Sequence, residues 1–143
     1  MEIRKQAHCA YRCMYHIVWI PRYRYNVLVD GVDEYLKIKM DEVRKLYPEI
    51  EYLERNIQSD RVHIVISFPP KYSIAKVVQI IKQNTGRALY EKFEFIRKRY
   101  WGRGGIWSVG YFVSTVGLDE KLIEKYVRYQ EKEDLGQAKL ALD

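Results

Sequence analysis

Tyr126 and Gln130 stand four residues apart in the stretch Leu122-Ile123-Glu124-Lys125-Tyr126-Val127-Arg128-Tyr129-Gln130. On a helix that spacing puts both side chains on one face. A tyrosine hydroxyl can attack a phosphodiester and keep the phosphate as an ester, which conserves bond energy for a later rejoining. The phenol ordinarily titrates near about 10, so it needs activation. Lys125, Arg128 or a metal-bound phosphate would supply the positive charge. The glutamine offers a neutral oxygen to a hard cation. The same pattern also describes a surface tyrosine on a polar helix, anchored by Leu122 and Tyr129.

A second set of residues lies in Ser59-Asp60-Arg61-Val62-His63-Ile64-Val65-Ile66-Ser67-Phe68-Pro69-Pro70. Val62, Ile64 and Ile66 alternate with Arg61, His63, Val65 and Ser67, the period of a strand. Pro69-Pro70 ends it, because proline cannot donate to a sheet ladder. His63 therefore sits beside Arg61 on the polar face, as a candidate metal ligand. A single histidine makes no metal site, and a half-exposed residue without a role would look the same. His16 shares a face with Val18 and Ile20 on another predicted strand. It could reach the metal shell or hydrogen-bond in the core.

The elements that must position these residues follow from the pattern. Residues 8–20 predict a long strand ending at Pro21. A basic-aromatic loop, Pro21-Arg22-Tyr23-Arg24-Tyr25-Asn26, comes next. Leu36, Met40, Val43 and Tyr47 make the buried stripe of a helix over about 32–47, closed by Pro48. Residues 49–57 predict a strand that pairs as a hairpin with Arg61–Phe68 through Gln58-Ser59-Asp60. Ser73 is a good N-cap for a second helix with Ile74, Val77, Val78 and Ile81 inside. A short helical piece over 90–100, a glycine-rich loop at 101–105 and a strand over 106–116 follow. A last helix runs from an Asp119 cap to about Leu135, with Gly136 closing it. The order βαββαβ plus a C-terminal helix is the ferredoxin-like arrangement, an α+β fold with a four-stranded antiparallel sheet and two helices on one face. That fold hosts many functions and settles none.

The 143 residues suffice for one domain, 1–143, with a real core. No run of about 18 apolar residues exists, so no membrane span is expected. Met1-Glu2-Ile3-Arg4-Lys5-Gln6 lacks the apolar region of a secretory signal. Cys9 and Cys13, on one strand face, would lie roughly 13 Å apart, too far for a disulfide. They have no partner pair at metal-finger spacing. A reduced, cytoplasmic protein is the expectation. The net charge of +6 and 14% aromatic residues suit single-stranded nucleic acid, where cations track phosphates and rings stack on bases. Arg22, Arg24, Lys82, Arg87, Arg97, Lys98, Arg99 and Arg103 are the candidate DNA contacts. Plain solubility would account for a basic surface as well.

These parts together resemble the single-tyrosine transposases of bacterial and archaeal insertion sequences, the IS200 type of the HUH endonuclease superfamily. The resemblance covers nearly the whole chain. It runs through Tyr15-His16-Ile17-Val18-Trp19 and Asp60-Arg61-Val62-His63-Ile64. It continues through 101–117, with Trp101-Gly102-Arg103-Gly104-Gly105 and Gly110-Tyr111-Phe112-Val113-Ser114-Thr115-Val116-Gly117, and ends in Tyr126-Val127-Arg128-Tyr129-Gln130. It implies a DNA transposase that cuts and rejoins single-stranded DNA at hairpins near an element's ends. Tyr126 would be the nucleophile and form a 5′-phosphotyrosine. His63 and Gln130 would bind one Mg²⁺ or Mn²⁺. The resemblance also implies an obligate homodimer, with the helix over about 119–135 packed on the partner's sheet.

The chain departs from the family where the first histidine of the motif belongs: it has Arg61. Arginine stays protonated and cannot ligate a cation. A guanidinium there would repel the metal. Three explanations compete. The metal is held by His63 and Gln130, with Asp60, Glu54, Asn56 and His16 as further candidates; or Arg61 itself clamps the phosphate; or the copy is decayed or domesticated and binds hairpin DNA without cutting it. An RNA-recognition module would leave the tyrosine–glutamine spacing unexplained. A purely structural dimer has only the amphipathic helix in its favour.

Overall fold

The computed structural model describes residues 3–6, 9–11, 13–115, 117 and 119–142. The elements are β1 (Arg4–Gln6), β2 (Cys9–Tyr11), β3 (Tyr15–Trp19), α1 (Val32–Leu46), β4 (Glu51–Gln58), β5 (Arg61–Ser67), α2 (Ile74–Lys92), α3 (Glu94–Arg99), β6 (Phe112–Ser114) and α4 (Glu120–Leu142). The main sheet has the order β4-β5-β3-β6. All three pairings are antiparallel. The two central strands are therefore the first and third of the βαββαβ series, which is the ferredoxin-like topology expected from the sequence.

Strand alternation divides the sheet into two faces. Ile17, Trp19, Val62, Ile64 and Ile66 are fully buried with Leu36 and Met40 of α1 and Val77 and Ile81 of α2. Each such side chain contributes about 1.5–3 kcal/mol by leaving water. The opposite face carries a smaller cluster, Val18 and Ile20 against Ile123 and Val127 of α4, with Phe112 and Tyr126 at its edge. The anchors of α4 are thus Ile123 and Val127. Leu122 and Tyr129, expected in that role, are 44% and 60% exposed.

Both predicted caps form. Ser73 Oγ accepts from the Lys76 amide at 3.0 Å, and Asp119 Oδ1 accepts from the Leu122 amide at 2.7 Å.

Several boundaries differ from expectation. The strand predicted over 8–20 divides: β2 pairs with β1 as a separate two-stranded sheet, and only Tyr15–Trp19 joins the main sheet. His8 lies outside the described residues. The strand predicted over 106–116 shrinks to three residues, because Ile106 and Trp107 turn into the helix-side core. Trp107 stacks edge-on to Trp19 with centroids 5.8 Å apart, and its indole N–H donates to Thr85 Oγ1 at 3.2 Å. Residues 90–92 continue α2 instead of opening a new helix. Gly136 does not close α4, which runs on to Leu142; one glycine costs a helix only about 1 kcal/mol.

Candidate active site

The face under α4 gathers the chemistry. His16 pairs with Val65, and Val18 with His63, in the β3–β5 register. Cross-strand partners point the same way, so His16 and His63 are diagonal neighbours on one face. His16 Nδ1 lies 3.4 Å from His63 Nε2. Burial, then the neighbouring His16 imidazole, lowers the His63 pKa below its ordinary value, against the pull of Glu54 and Glu120. Neutral imidazole is the ligating form. Cis ligands about 2.1 Å from an octahedral Mg²⁺ stand about 3.0 Å apart, so this pair would have to close by about 0.4 Å to take two positions on one such ion. Asn56 stands opposite His63, and Glu54 opposite Val65, on the adjoining strand, both exposed. No group of three His, Cys, Asp or Glu able to hold a metal occurs among the described residues.

Arg61 does not approach that pair with a free charge. Its Nε and Nη2 donate to the two oxygens of Asp60 at 2.9 and 3.1 Å. Its Nη1 donates to Glu124 Oε2 at 3.1 Å. Arg24 completes the cluster, with Nε to Asp60 Oδ2 at 2.9 Å, Nη2 to Glu124 Oε1 at 3.2 Å and Nη1 to Glu131 Oε1 at 3.5 Å. Burial would raise the Asp60 pKa, but the hydrogen bonds from Arg61 and Arg24 outweigh it and hold the carboxyl below its usual range. The Arg61 hydrogen bond likewise holds Glu124 low, with Arg24 and Arg128 adding to it. The repulsion expected of a guanidinium beside the metal position is thus compensated locally. Asp60, a candidate ligand from sequence, is occupied by two guanidiniums.

Tyr126 and Gln130 share one face of α4, as their spacing predicts. The Tyr126 ring lies against Phe112 with centroids 5.7 Å apart. Its hydroxyl is buried and without a hydrogen-bond partner among the described residues. Burial, and secondarily the Asp134 carboxylate, push its pKa well above the ordinary phenol value. Of the two cations expected to activate it, Arg128 points to Glu124 at 3.7 Å and Lys125 is exposed. Gln130 is 6% exposed and donates Nε2 to Asp134 Oδ1 at 3.1 Å. Its Oε1 comes so close to Gly110 that a Cβ there would lie 2.5 Å from it.

Asp134 is the residue that sequence reasoning missed. It is 2% exposed and accepts from Gln130, from Ser108 Oγ and from the Tyr23 amide at 2.9 Å. A signal existed: Tyr126, Gln130 and Asp134 recur every four residues, a polar stripe on one helix face.

The basic residues expected to bind DNA fall into two groups. Arg24 is consumed in the ion pairs above. Lys82 Nζ donates to the carbonyls of Ser108 and Gly110 at 2.5 and 3.1 Å. Burial lowers its pKa to about 8, with Asp134 opposing and Arg22 assisting. Arg22 donates to the Arg103 carbonyl at 2.7 Å, and Arg97 donates to the carbonyls of Tyr90 and Glu91, each at 3.0 Å. Lys98 is open to solvent in a loose pair with Glu94 at 3.3 Å. Arg99 and Arg103 lie over the rings of Tyr25 and Tyr23, at 3.9 and 5.8 Å. Arg87 lines a cleft of about 430 Å³ with Tyr90, Tyr100 and Trp107. Among the described residues no helix is long and apolar enough to cross a membrane.

The chain is similar to known proteins over most of its length. The family described as "Transposase IS200 like" matches residues 9–130. The transposase for insertion sequence element IS200 of Salmonella typhimurium is 32% identical over 130 residues, spanning 90% of this chain and 83% of that protein. The ISDra2 transposase TnpA of Deinococcus radiodurans is 28% identical over 133 residues, spanning 91% and 92%. A crystal structure of a candidate transposase from Deinococcus radiodurans R1 superposes with a TM-score of 0.78 at 27% identity, covering 89% of this chain and 97% of that one. A REP-associated tyrosine transposase bound to a REP hairpin shares the fold with a TM-score of 0.53 at 14% identity, covering 90% and 69%.

Proposed function

This chain belongs to the family of IS200-like transposases, and from that premise we propose that it cuts and rejoins single-stranded DNA at the ends of an insertion sequence through a 5′-phosphotyrosine on Tyr126. The support is geometric. The helix α4 brings Tyr126 onto the sheet face on which His16 and His63 meet.

In the cutting step the phenolic oxygen of Tyr126 bonds to phosphorus, and the phosphorus–oxygen bond to the neighbouring 3′ oxygen breaks. The proton lost by the phenol is matched by one taken up, through solvent, by the leaving 3′ oxygen, so the departing strand ends in a free 3′-OH. Rejoining is the reverse attack by another 3′-OH, which restores the phenol. His16 and His63 would hold a Mg²⁺ or Mn²⁺, and such an ion, when bound, polarises the scissile phosphate. Gln130 lies one turn beyond Tyr126; Asp134 holds its Nε2, and its Oε1 is the atom it would offer the ion.

Hairpin DNA is the substrate class. It suits the charge of +6 and the hairpin bound by the REP-associated relative. The open cations Lys98, Arg87 and Arg103 are the candidates for the phosphate backbone. The working assembly is a cytoplasmic homodimer. In the single chain α4 lies on its own sheet; in the dimer the same contacts would be made on the partner's.

The test is a denaturing gel with purified protein, labelled single-stranded hairpin DNA from the element's ends, and Mn²⁺ or EDTA. A metal-dependent covalent adduct, absent in Tyr126→Phe, is expected. Hairpin binding with no adduct at any metal concentration would sink the cutting activity and leave a binding protein.

A further inference from the structure

We propose that Arg61 is a positioning residue that, together with Arg24, forms an ionic latch on Glu124 and Glu131 and holds α4 in a docked state that stores the Tyr126 hydroxyl away from solvent. The inference rests on the assignment of Tyr126 as the nucleophile. It explains what the arginine does where a histidine ligand is expected.

Three observations carry it. First, the Arg61 side chain is only 10% exposed, and among the described residues its hydrogen bonds reach two carboxylates, Asp60 next to it and Glu124 on α4. Asp60 holds the guanidinium in a bidentate fork, a geometry that fixes direction as well as charge. The remaining nitrogen is thereby aimed at Glu124, two residues before Tyr126. Second, Arg24 grips the same carboxylates and adds Glu131 two turns later, so the latch spans two turns of α4. Third, a later turn of the docked helix is tied to the same loop. Tyr23 and Arg24 both have left-handed backbones, φ 62° and 56°, an unusual state for residues other than glycine. The Tyr23 amide in that loop donates to Asp134 of α4.

The docked state is not the attacking state. The Tyr126 hydroxyl touches no base, cation or acceptor among the described residues, and Gln130 is held by Asp134. Attack therefore requires α4 to shift, and the latch sets how often it does. Weakening the latch shifts the population toward the free helix without touching the nucleophile.

The experiment is hydrogen exchange of the full chain, read on peptides of α4, for wild type, Glu124→Gln, Arg61→Gln, Arg61→Lys and the double variant Glu124→Gln with Arg61→Gln. Each glutamine variant is expected to speed exchange over 120–134 roughly 5- to 30-fold. The double variant should be no faster than Glu124→Gln alone, because that substitution already removes the one ion pair that Arg61 makes with α4. Arg61→Lys, which keeps the charge but not the fork, should fall between. In parallel, adduct formation on labelled hairpin DNA with Mn²⁺ is expected to be faster in Glu124→Gln at saturating DNA.

Unchanged exchange in Glu124→Gln, or additive effects in the double variant, would overturn the latch. Faster exchange with slower adduct formation would overturn storage and leave Arg61 a plain structural anchor. Faster exchange with no adduct from any variant, wild type included, would leave the latch standing and overturn the nucleophile assignment instead.

Discussion

His16 Nδ1 and His63 Nε2 face each other at 3.4 Å across the two central strands. They lie on different strands, so the pair exists only because the β3–β5 register sets Val18 opposite His63. If both ligate one cation, either substitution should damage binding about equally. Calorimetry with Mn²⁺ is expected to show His16→Ala and His63→Ala each weakening binding at least about tenfold, with little further loss in the double variant. Normal affinity in His16→Ala would exclude it from the metal site.

Tyr126→Phe should separate chemistry from stability. The hydroxyl is buried and has no partner among the described residues, so the folded chain bears its desolvation without return. Phenylalanine keeps the ring on Phe112. The variant is expected to form no adduct and to be more stable by about 1 kcal/mol in urea melts. A loss of stability would mean that the hydroxyl has an acceptor after all.

Gly110 makes room for Gln130. A methyl group there would meet Gln130 Oε1 at 2.5 Å. Gly110→Ala should therefore cost about 1–3 kcal/mol and much less in a Gln130→Ala background. Denaturant melts of the four proteins give the coupling directly. Equal costs in both backgrounds would locate the strain elsewhere.

The pH profile of stability has a sign that follows from Lys82. Its pKa is lowered to about 8 from 10.5, so between those values the unfolded chain binds more protons than the folded one. Stability from this group then rises with pH across that window. Tyr52, Tyr100 and Tyr126 act oppositely, since burial raises each above its ordinary 10.0. Their contribution is intact below about pH 10 and is lost as pH climbs further. Thermal melts are expected to show a rise from pH 8 toward 10 that disappears in Lys82→Met. A flat profile in the wild type would refute the buried ammonium.

Much of this molecule could be read along the chain, because periodicity and capping are local. The alternation of Val62, Ile64 and Ile66 predicts β5 and its polar face. Ser73 and Asp119 cap the helices they precede, and the four-residue spacing of Tyr126 and Gln130 puts them on one side of α4. What escaped was set by contacts distant in sequence. Trp107 left its predicted strand because the core around Trp19 and Thr85 takes its ring. Lys82 and Arg24 look like surface cations in the sequence, but the Ser108 and Gly110 carbonyls and the Glu124 and Glu131 carboxylates close over them. The meeting of His16 with His63, the grip of Arg61 on Glu124 and the burial of Asp134 each join residues on separate elements. A linear pattern specifies which face a side chain takes; only packing the faces together decides what it meets there.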